Sequence, residues 1–368
     1  MNEINCLFFE LIRVAIGTQE TLSRFPSEAE WEELFEMAVK QSLVGVCFVG
    51  LHTLGADSDE GYAQIGMSED LFFDWMGMAA QINMKNDLVN QQCVDLQKRL
   101  AADGLDTCVL KGQGIAGLYG EELRGFRQSG DIDLWVDAPM KMILEYAKKY
   151  NSKFHFDYLH VNLDAFDDTE VELHYRPGCM YNLRRNRSLQ SWFANNKEFV
   201  GIPMGNGNVT VPTINFNAFY ILHHTYRHLI NGGIGMRQMM DYYFVLQASL
   251  KIQEVASTIE SFGMKKFASG VMWIMQEVFG LTDDRVICKP DEEEGQFLLN
   301  EIMMGGNFGH HDSRKEKRKP DESKWDILVR KIKTNMHLLT HYPSEVLSVP
   351  FYFVWHYLWK KKQNYSLQ

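Results

Sequence analysis

The segment Gly130-Asp131-Ile132-Asp133-Leu134 places two carboxylates two residues apart in a run typical of a β-strand. Side chains i and i+2 of a strand point to the same face, so Asp131 and Asp133 are predicted to stand side by side. Two ionised carboxylates about 4 Å apart repel by roughly 4 kcal/mol at an effective dielectric constant near 20. Mg²⁺, which prefers oxygen ligands, would offset that repulsion. The alternative is an acidic, solvent-facing edge strand, because a D-x-D pair alone has low specificity.

A second strand-like segment, residues 169–175, carries Glu170, Glu172 and His174 on one face. If it neighbours the aspartate strand, Glu172 completes a cluster of three carboxylates, which can hold two metal ions during phosphoryl or nucleotidyl transfer. Without metal, three such carboxylates are expected to raise one another's pKa. The alternative is a polar sheet face in water. His174 is expected to be a hydrogen-bonded structural side chain beside the cluster.

The third element is Lys111-Gly112-Gln113-Gly114, between a short apolar strand and a short helix. Glycines at such a position allow backbone N–H groups to approach a phosphate, and a helix N-terminus attracts the anion. Lys111 would add a mobile positive charge, as would Arg124 or Arg127 in the loop before the aspartates. The G-x-G pattern lacks Walker or Rossmann spacing, so it indicates little by itself.

A further cluster lies towards the C-terminus. His224 and His228 are four residues apart on a predicted helix, and Arg237 and Asp241 are four apart on the next. The histidine spacing permits a zinc pair, but without a nearby third ligand the two histidines are predicted to be structural. Arg237 and Asp241 either face a ligand or pair with each other, and the spacing slightly favours the salt bridge.

The elements around these residues predict a mostly helical α+β chain in three regions. Residues 1–103 form an N-terminal helical region, in which Ser27 and Glu30 make a capping box and a long helix runs from about Ser68 to Ala102. Residues 104–212 form a small mixed α/β core. Residues 213–368 form a C-terminal helical region.

Within the core, alternation of apolar and polar residues predicts four strands, at residues 107–110, 131–136, 154–163 and 169–175. Short helices are predicted at 114–119 and 139–150, with a polar loop at 120–130. A β-hairpin at 200–211 is expected to turn at Asn206-Gly207.

The composition is that of a globular protein, with 45% hydrophobic and 23% charged residues and a net charge of −11. An acidic chain disfavours long RNA or DNA, because neutralising phosphates needs a basic surface. The dense basic run from Arg314 to Lys319 is expected to be a mobile surface loop. Six scattered cysteines without a C-x-x-C pair predict reduced thiols in a cytoplasmic protein. No stretch reaches the roughly 20 apolar residues of a membrane span.

Together these segments resemble the nucleotidyltransferase superfamily of the polymerase-β type, and more closely a bacterial nucleotidyltransferase-like family within it. The resemblance covers most of the chain. It rests on three motifs: V-L-K-G-x-G-I-A at 109–116, R-x-S-G-D-I-D-L-W-V at 127–136 and E-V-E-L-H-Y-R at 170–176.

The resemblance implies that Asp131, Asp133 and Glu172 are the catalytic, metal-binding carboxylates, with Mg²⁺ or Mn²⁺ as cofactor. It further implies a nucleotide site made of Lys111, Gly112, Gly114, Arg124, Arg127, Ser129 and Gly130. The Gly-Ser turn usual in the superfamily is here Lys-Gly-Gln-Gly, which makes Lys111 the expected phosphate contact. His174, His224, His228, Arg237 and Asp241 would surround this site.

The expected function is transfer of a nucleoside monophosphate from an NTP to a small-molecule or protein acceptor, with release of pyrophosphate. The acceptor is expected between the α/β core and the C-terminal helices. Three alternatives stay open: a toxin-like enzyme acting on transfer RNA, a non-catalytic module that binds a nucleotide or a partner, and a scaffold. The net charge of −11 counts against the first.

Overall fold

The computed structural model describes residues 2–56, 60–151, 155–314 and 323–366, and has the mostly helical α+β fold that the sequence predicts. Its N-terminal part is helical. The helices there are α1 (Glu3–Ile16), α2 (Glu28–Gln41), α3 (Val44–Thr53), α4 (Gly61–Gln64) and α5 (Glu69–Ala102). Of the basic run, residues 315–319 lie outside the described residues.

The start of α2 and the length of α5 follow the sequence signals. Ser27 and Glu30 form the predicted capping box, in which the Ser27 backbone N–H donates to Glu30 Oε2 over 2.8 Å. The following residue, Trp31, is fully buried, and its Nε1–H donates to the Ile65 carbonyl over 2.9 Å. Helix α5 starts after Ser68 and is followed by Gly104, whose φ of +78° suits glycine.

A four-stranded mixed sheet follows α5. Its strands are β1 (Thr107–Leu110), β2 (Ile132–Val136), β3 (His160–Asn162) and β4 (Val171–His174), in the order β1-β2-β4-β3. Strands β2 and β4 are parallel, and the other two pairs are antiparallel. The helices of this region are α6 (Gly112–Ala116), α7 (Glu121–Arg124), α8 (Met140–Lys148) and α9 (Leu183–Asn195).

The two faces of the sheet have different roles. One face carries Val109, Leu134 and Leu173, which pack with residues of α5 and α8 in a compact apolar cluster. The other face carries the polar residues of β2 and β4 near one end. At its other end Trp135 is buried and stacks on Phe216 with ring centroids 5.7 Å apart. The end of this face that carries the acidic residues is therefore not covered by the aromatic cluster around Trp135.

Several details of this region differ from the expectation. Helix α6 spans Gly112–Ala116, whereas the sequence predicts a helix at residues 114–119. Residues 121–124 of the predicted loop form the helical turn α7. Strand β3 is shorter than predicted, because Asp157 Oδ1 accepts the backbone N–H groups of Leu159 and His160 in a turn just before it. Residue 154, the predicted start of that strand, lies outside the described residues. The hairpin of β5 (Phe199–Met204) and β6 (Gly207–Pro212) turns at Gly205-Asn206, one residue earlier than expected.

The rest of the described chain is helical. It contains α10 (Ile214–Asn231), α11 (Met236–Gln247), α12 (Ile252–Ser261), α13 (Lys265–Phe279), α14 (Glu292–Gly305), α15 (Lys324–Asn335) and α16 (Pro343–Ser366), with 3₁₀ turns at Asp283–Arg285, Asn307–Gly309 and Met336–Leu338. Helix α16 buries Val349 and Tyr352 but exposes Phe351 and Leu358. Across the described residues, no helix combines the length and apolar character that crossing a membrane requires.

Candidate active site

The three carboxylates predicted to act together do lie together. Asp133 and Glu172 are directly paired in the register of the parallel strands β2 and β4, and Asp131 lies just before β2. Carboxylate oxygens of all three side chains lie within 4.8 Å of one another. The side chain of Asp133 is 1% exposed, whereas that of Asp131 is 38% exposed. The cluster thus runs from the protein interior to an open rim.

Lys111 lies against this cluster. It joins β1 to α6 with a φ of +38°, a conformation that a residue with a Cβ rarely adopts. Its Nζ lies 2.9 Å from Asp133 Oδ2 and 3.6 Å from Asp131 Oδ2. Burial would lower the pKa of Lys111, but the two carboxylates raise it above its usual value. The residue expected to contact phosphate therefore neutralises the carboxylates in this structure.

Two imidazoles contact the other side of the cluster. His174 Nε2 lies 2.8 Å from Asp133 Oδ1 and 3.0 Å from Glu172 Oε2, while Nδ1 lies 3.2 Å from the Arg176 carbonyl. Burial opposes protonation, yet the hydrogen bonds to the two carboxylates raise the pKa of His174 to about 10. His160, which the sequence analysis did not single out, has Nδ1 3.1 Å from Glu172 Oε2.

These neighbouring side chains reverse one expectation about the pKa of the carboxylates. Burial raises the pKa of Glu172, but the hydrogen bond from His174 and the charges of His174, His160 and Lys111 lower it to about 2. The prediction that the clustered carboxylates raise one another's pKa is wrong for Glu172. The reason is that two imidazoles lie within about 3.1 Å of Glu172, a proximity that the alternation pattern of the strands does not encode.

A pocket opens beside the cluster, between the sheet and the C-terminal helices. It encloses about 480 Å³ of empty space, part of it open to solvent. Its lining combines residues from both sides: Lys111, Gly112, Arg127, Gly130, Asp131, Ile221, His224, Thr225, Arg237, Gln238, Asp241 and Phe308. Among these, three side chains are cationic and two are acidic.

The predicted pair of Arg237 with Asp241 is wrong. Asp241 instead accepts two hydrogen bonds from Arg127, from Nε over 2.7 Å and from Nη2 over 2.8 Å, and a third from the Tyr119 hydroxyl over 2.7 Å. The Arg127 pair joins residues 114 positions apart, so helical spacing could not reveal it. Arg127 Nη1 is buried and has no hydrogen-bond partner among the described residues.

Arg237 reaches across to the loop before the aspartates. Its Nη1 donates to the Gln128 carbonyl over 2.8 Å, and its guanidinium lies 5.6 Å from the centre of the Phe308 ring. Burial first, and then the neighbouring charge of Arg127, lower the pKa of Arg237 to about 10. Its Nε is buried and, within the part of the chain that the structure describes, has no hydrogen-bond partner. Two guanidinium groups with unpaired N–H atoms therefore line this pocket.

Of the remaining residues predicted to bind the nucleotide, some line the pocket and others do not. Gly112 and Gly130 line the pocket, whereas Ser129 does not. Arg124 is exposed and pairs with Glu121 over 3.1 Å, so it is not brought to the pocket. Gly114 is also absent from the pocket lining. It is buried where an added Cβ would lie 2.6 Å from the Val109 carbonyl oxygen, so it permits α6 to pack against β1.

The rings of His224 and His228 contact each other edge to face, with centroids 4.3 Å apart. Burial lowers the pKa of both rings well below the ordinary value, and the charges of Lys111 and Arg227 add to this effect, so the neutral form of each ring is favoured. Within the described residues, they do not form part of any group of three metal-ligating side chains. Their structural role stays a prediction.

A search of curated proteins found no match. One solved structure that matches is the crystal structure of an antigenic nucleotidyltransferase-like protein from Paracoccidioides brasiliensis. It is 12% identical, with a TM-score of 0.34, over 58% of this chain and 95% of that chain.

The family comparison covers more of the sequence. A family profile described as uncharacterised nucleotidyltransferase matches residues 27–280. The match includes all six strands, the Lys111 turn and most of the pocket lining. Since it spans more than half of the 368 residues, this chain belongs to that nucleotidyltransferase family.

Proposed function

We propose that the chain transfers a nucleoside monophosphate from an NTP to an acceptor hydroxyl or similar group and releases pyrophosphate. One observation carries the proposal: Asp131, Asp133 and Glu172 converge within 4.8 Å beside a pocket that Lys111, Arg127 and Arg237 line. Carboxylates beside guanidinium and ammonium groups provide both metal ligands and contacts for a polyphosphate. Membership of the nucleotidyltransferase family supports the same reaction class.

The donor set fits a hard divalent cation. Asp131, Asp133 and Glu172 offer carboxylate oxygens, the ligands that Mg²⁺ prefers, and Mn²⁺ accepts the same set. The Lys111 ammonium between Asp131 and Asp133 indicates that this position favours positive charge. Bound there, the metal would supply charge neutralisation and orient the triphosphate.

The triphosphate would contact the cationic wall of the pocket. Arg127 Nη1 and Arg237 Nε are buried N–H groups that no described residue accepts, and phosphate oxygens would satisfy both. Gly130 has no neighbouring atom within 4 Å of an added Cβ, so the backbone there leaves room for an anion. Lys111 would move from the carboxylates to the phosphates and stabilise the charge that develops on the pyrophosphate.

Glu172 and the C-terminal helices would handle the acceptor. With a pKa of about 2, Glu172 is ionised at neutral pH and can accept a hydrogen bond from the attacking hydroxyl. Thr225 and Gln238 line the opposite wall of the pocket with polar groups, and Phe308 adds an apolar surface. The acceptor class these side chains suit is a small molecule or an extended protein segment that carries a hydroxyl.

Thermal melts of the wild type and of Asp131→Asn, with and without Mg²⁺ and each of the four NTPs, test the proposal. The expected stabilisation of the wild type is about 2.7 kcal/mol when the ligand is at a hundred times its dissociation constant. Asp131 is 38% exposed, so its removal should change the stability without ligand by less than about 1 kcal/mol while abolishing the shift with Mg²⁺ and NTP. A wild type that responds to no metal and NTP combination would exclude the transferase.

Two further measurements separate the alternatives. A crystal soaked with an NTP analogue and Mg²⁺ should show the triphosphate between Lys111 and Arg237. Pyrophosphate release should then appear when a small-molecule extract supplies acceptors. Nucleotide binding without such release from any acceptor pool would identify a non-catalytic module, and retardation of transfer RNA by the protein would identify a nucleic-acid substrate.

A further inference from the structure

A second group of metal-ligating side chains lies next to the three carboxylates. It consists of His160, Glu172 and His174, whose ligand atoms lie within 4.8 Å of one another. His160 and His174 are directly opposite in the antiparallel pair β3 and β4, so their side chains share one face of the sheet. Glu172, two residues before His174 on β4, shares that face as well.

The ligand atoms converge on one point. Glu172 Oε2 lies 3.1 Å from His160 Nδ1 and 3.0 Å from His174 Nε2. A metal about 2.1 Å from each ligand in tetrahedral geometry would space neighbouring ligands roughly 3.4 Å apart. The observed distances are therefore a few tenths of an ångström short of that spacing. Small side-chain rotations would open the site to a metal ion.

The surroundings orient His174 for this role. Its Nδ1 lies 3.2 Å from the Arg176 carbonyl oxygen, so Nδ1–H donates there and Nε2 points at the carboxylates. Histidine ligands of metals usually donate their second N–H to such an acceptor, which fixes the ring. Lys111 contacts the other oxygen of Asp133, Oδ2, so its ammonium does not occupy the space between the imidazoles and Glu172.

We propose that His160, Glu172 and His174 form a binding site for a divalent transition metal of the zinc type, distinct from the carboxylate site for Mg²⁺. Imidazole nitrogens favour Zn²⁺ and its neighbours in the first transition row, whereas Mg²⁺ prefers oxygen. The two sites share Glu172, whose two oxygens allow it to bridge two ions. The proposal does not rest on nucleotidyl transfer, since binding at the histidines is measured without a nucleotide.

Zinc titration of the metal-stripped, full-length protein tests the site by calorimetry, and Co²⁺ absorption reports on nitrogen ligands. His160→Gln removes a ligand found only in the histidine site, so Zn²⁺ affinity should fall at least tenfold. Asp131→Asn removes a ligand found only in the carboxylate site and should leave Zn²⁺ affinity within about threefold. His155→Gln alters an exposed histidine five residues away and is the matched control.

The outcomes separate the two proposals. Zinc affinity that survives His160→Gln but is lost in Asp131→Asn would overturn the histidine site, as would a wild type that binds no zinc. X-ray absorption of the zinc-loaded wild type identifies the ligands without any variant, and a shell made only of oxygen would also overturn it. If zinc binds at the histidines while no NTP stabilises the protein with Mg²⁺, this proposal stands and the transferase fails.

Discussion

Asp133 carries the most enclosed charge of the site, because its side chain is only 1% exposed. A buried carboxylate without partners would be strongly unfavourable, so the fold must supply positive charge. It does so on both oxygens, with Lys111 Nζ 2.9 Å from Oδ2 and His174 Nε2 2.8 Å from Oδ1. In the ligand-free protein Lys111 therefore neutralises a buried carboxylate, in addition to the phosphate contact that we propose.

We predict that Lys111→Ala lowers the free energy of unfolding by about 1–3 kcal/mol, because it removes one of the two charges that pair with buried Asp133. The same variant should weaken Mg²⁺-dependent NTP binding. Urea unfolding and calorimetric titration measure the two effects separately.

Lys141→Ala is the control, since Lys141 is 77% exposed and its pair with Glu145 spans 3.9 Å. Its unfolding free energy should stay within about 0.5 kcal/mol of the wild type. If Lys111→Ala changed neither stability nor nucleotide affinity, Lys111 would be an ordinary surface lysine and the pairing with Asp133 would be unimportant.

For single residues, the sequence predicted those positions that follow from the periodicity of one strand. Alternation in two strands placed Asp131, Asp133 and Glu172 on one face, and the structure brings them together. Periodicity carried no information about His160, because the strand that positions it is only three residues long. Helical spacing gave a wrong prediction for Arg237 and Asp241, because Asp241 pairs with Arg127, which is distant in the sequence.

Helix α6 shows how an element holds a functional turn. It follows Lys111 directly, and its Gln113 Nε2 donates to Asn90 Oδ1 of α5 over 2.7 Å. Asn86 of α5, fully buried, donates to the carbonyls of Gly125 and Arg127 over 2.7 and 2.6 Å. One helix therefore positions both the Lys111 turn and the loop before the aspartates. The sequence predicted α5 itself, but helical periodicity could not reveal which polar residues are buried.

We predict that Gly114→Ala lowers the free energy of unfolding by about 1–3 kcal/mol, since its Cβ would lie 2.6 Å from the Val109 carbonyl oxygen and force α6 away from β1. The displaced turn should also weaken NTP binding. Gly77→Ala is the matched control in α5, where an added Cβ meets nothing within 4 Å, and should stabilise the protein slightly. Thermal melts of both variants decide, and equal melting points would contradict the packing argument.

The Arg127–Asp241 pair connects the loop before β2 to α11. Both side chains are less than a tenth exposed. Either single change, Arg127→Met or Asp241→Asn, should therefore cost about 3 kcal/mol, because it leaves one buried charge unpaired. The double variant should lose about 1–3 kcal/mol less than the sum of the two. Urea unfolding of the four proteins gives the coupling, and additive losses would mean that the pair is not energetically joined.

For the whole molecule, charge is distributed unevenly. The net charge is −11, yet three cationic and two acidic side chains line the pocket. A protein with this net charge repels polyanions of the size of transfer RNA. A nucleotide in complex with a divalent cation carries much less negative charge than transfer RNA, so it is repelled less. This distribution supports a nucleotide as the ligand and a small acceptor as its partner.

Whole-molecule stability should also depend on pH, since α10 carries three neutral imidazoles, of which His223 is buried and His224 and His228 are half-buried. Burial first, and then the charge of Arg227, lower the pKa of His223 to about 3, and the pKa values of His224 and His228 are lowered well below the ordinary value. In the unfolded chain each histidine has a pKa of about 6.5. Between these values the unfolded chain binds protons that the folded protein excludes, so acid favours unfolding.

The free energy of unfolding should therefore fall as the pH drops below about 6.5, by roughly 1.4 kcal/mol per pH unit for each excluded proton. Below about pH 4.5 a further loss should begin, because Glu172 has its pKa lowered to about 2 and protonates first in the unfolded chain.

His223→Gln keeps a group that can donate to the Cys179 carbonyl, 3.2 Å from His223 Nε2, and removes one titrating site. Between pH 7 and 5.5 its stability should decline by about 1–2 kcal/mol less than that of the wild type. Urea unfolding of both proteins across this range measures the difference, and parallel curves would mean that His223 binds protons equally well in the folded and the unfolded protein.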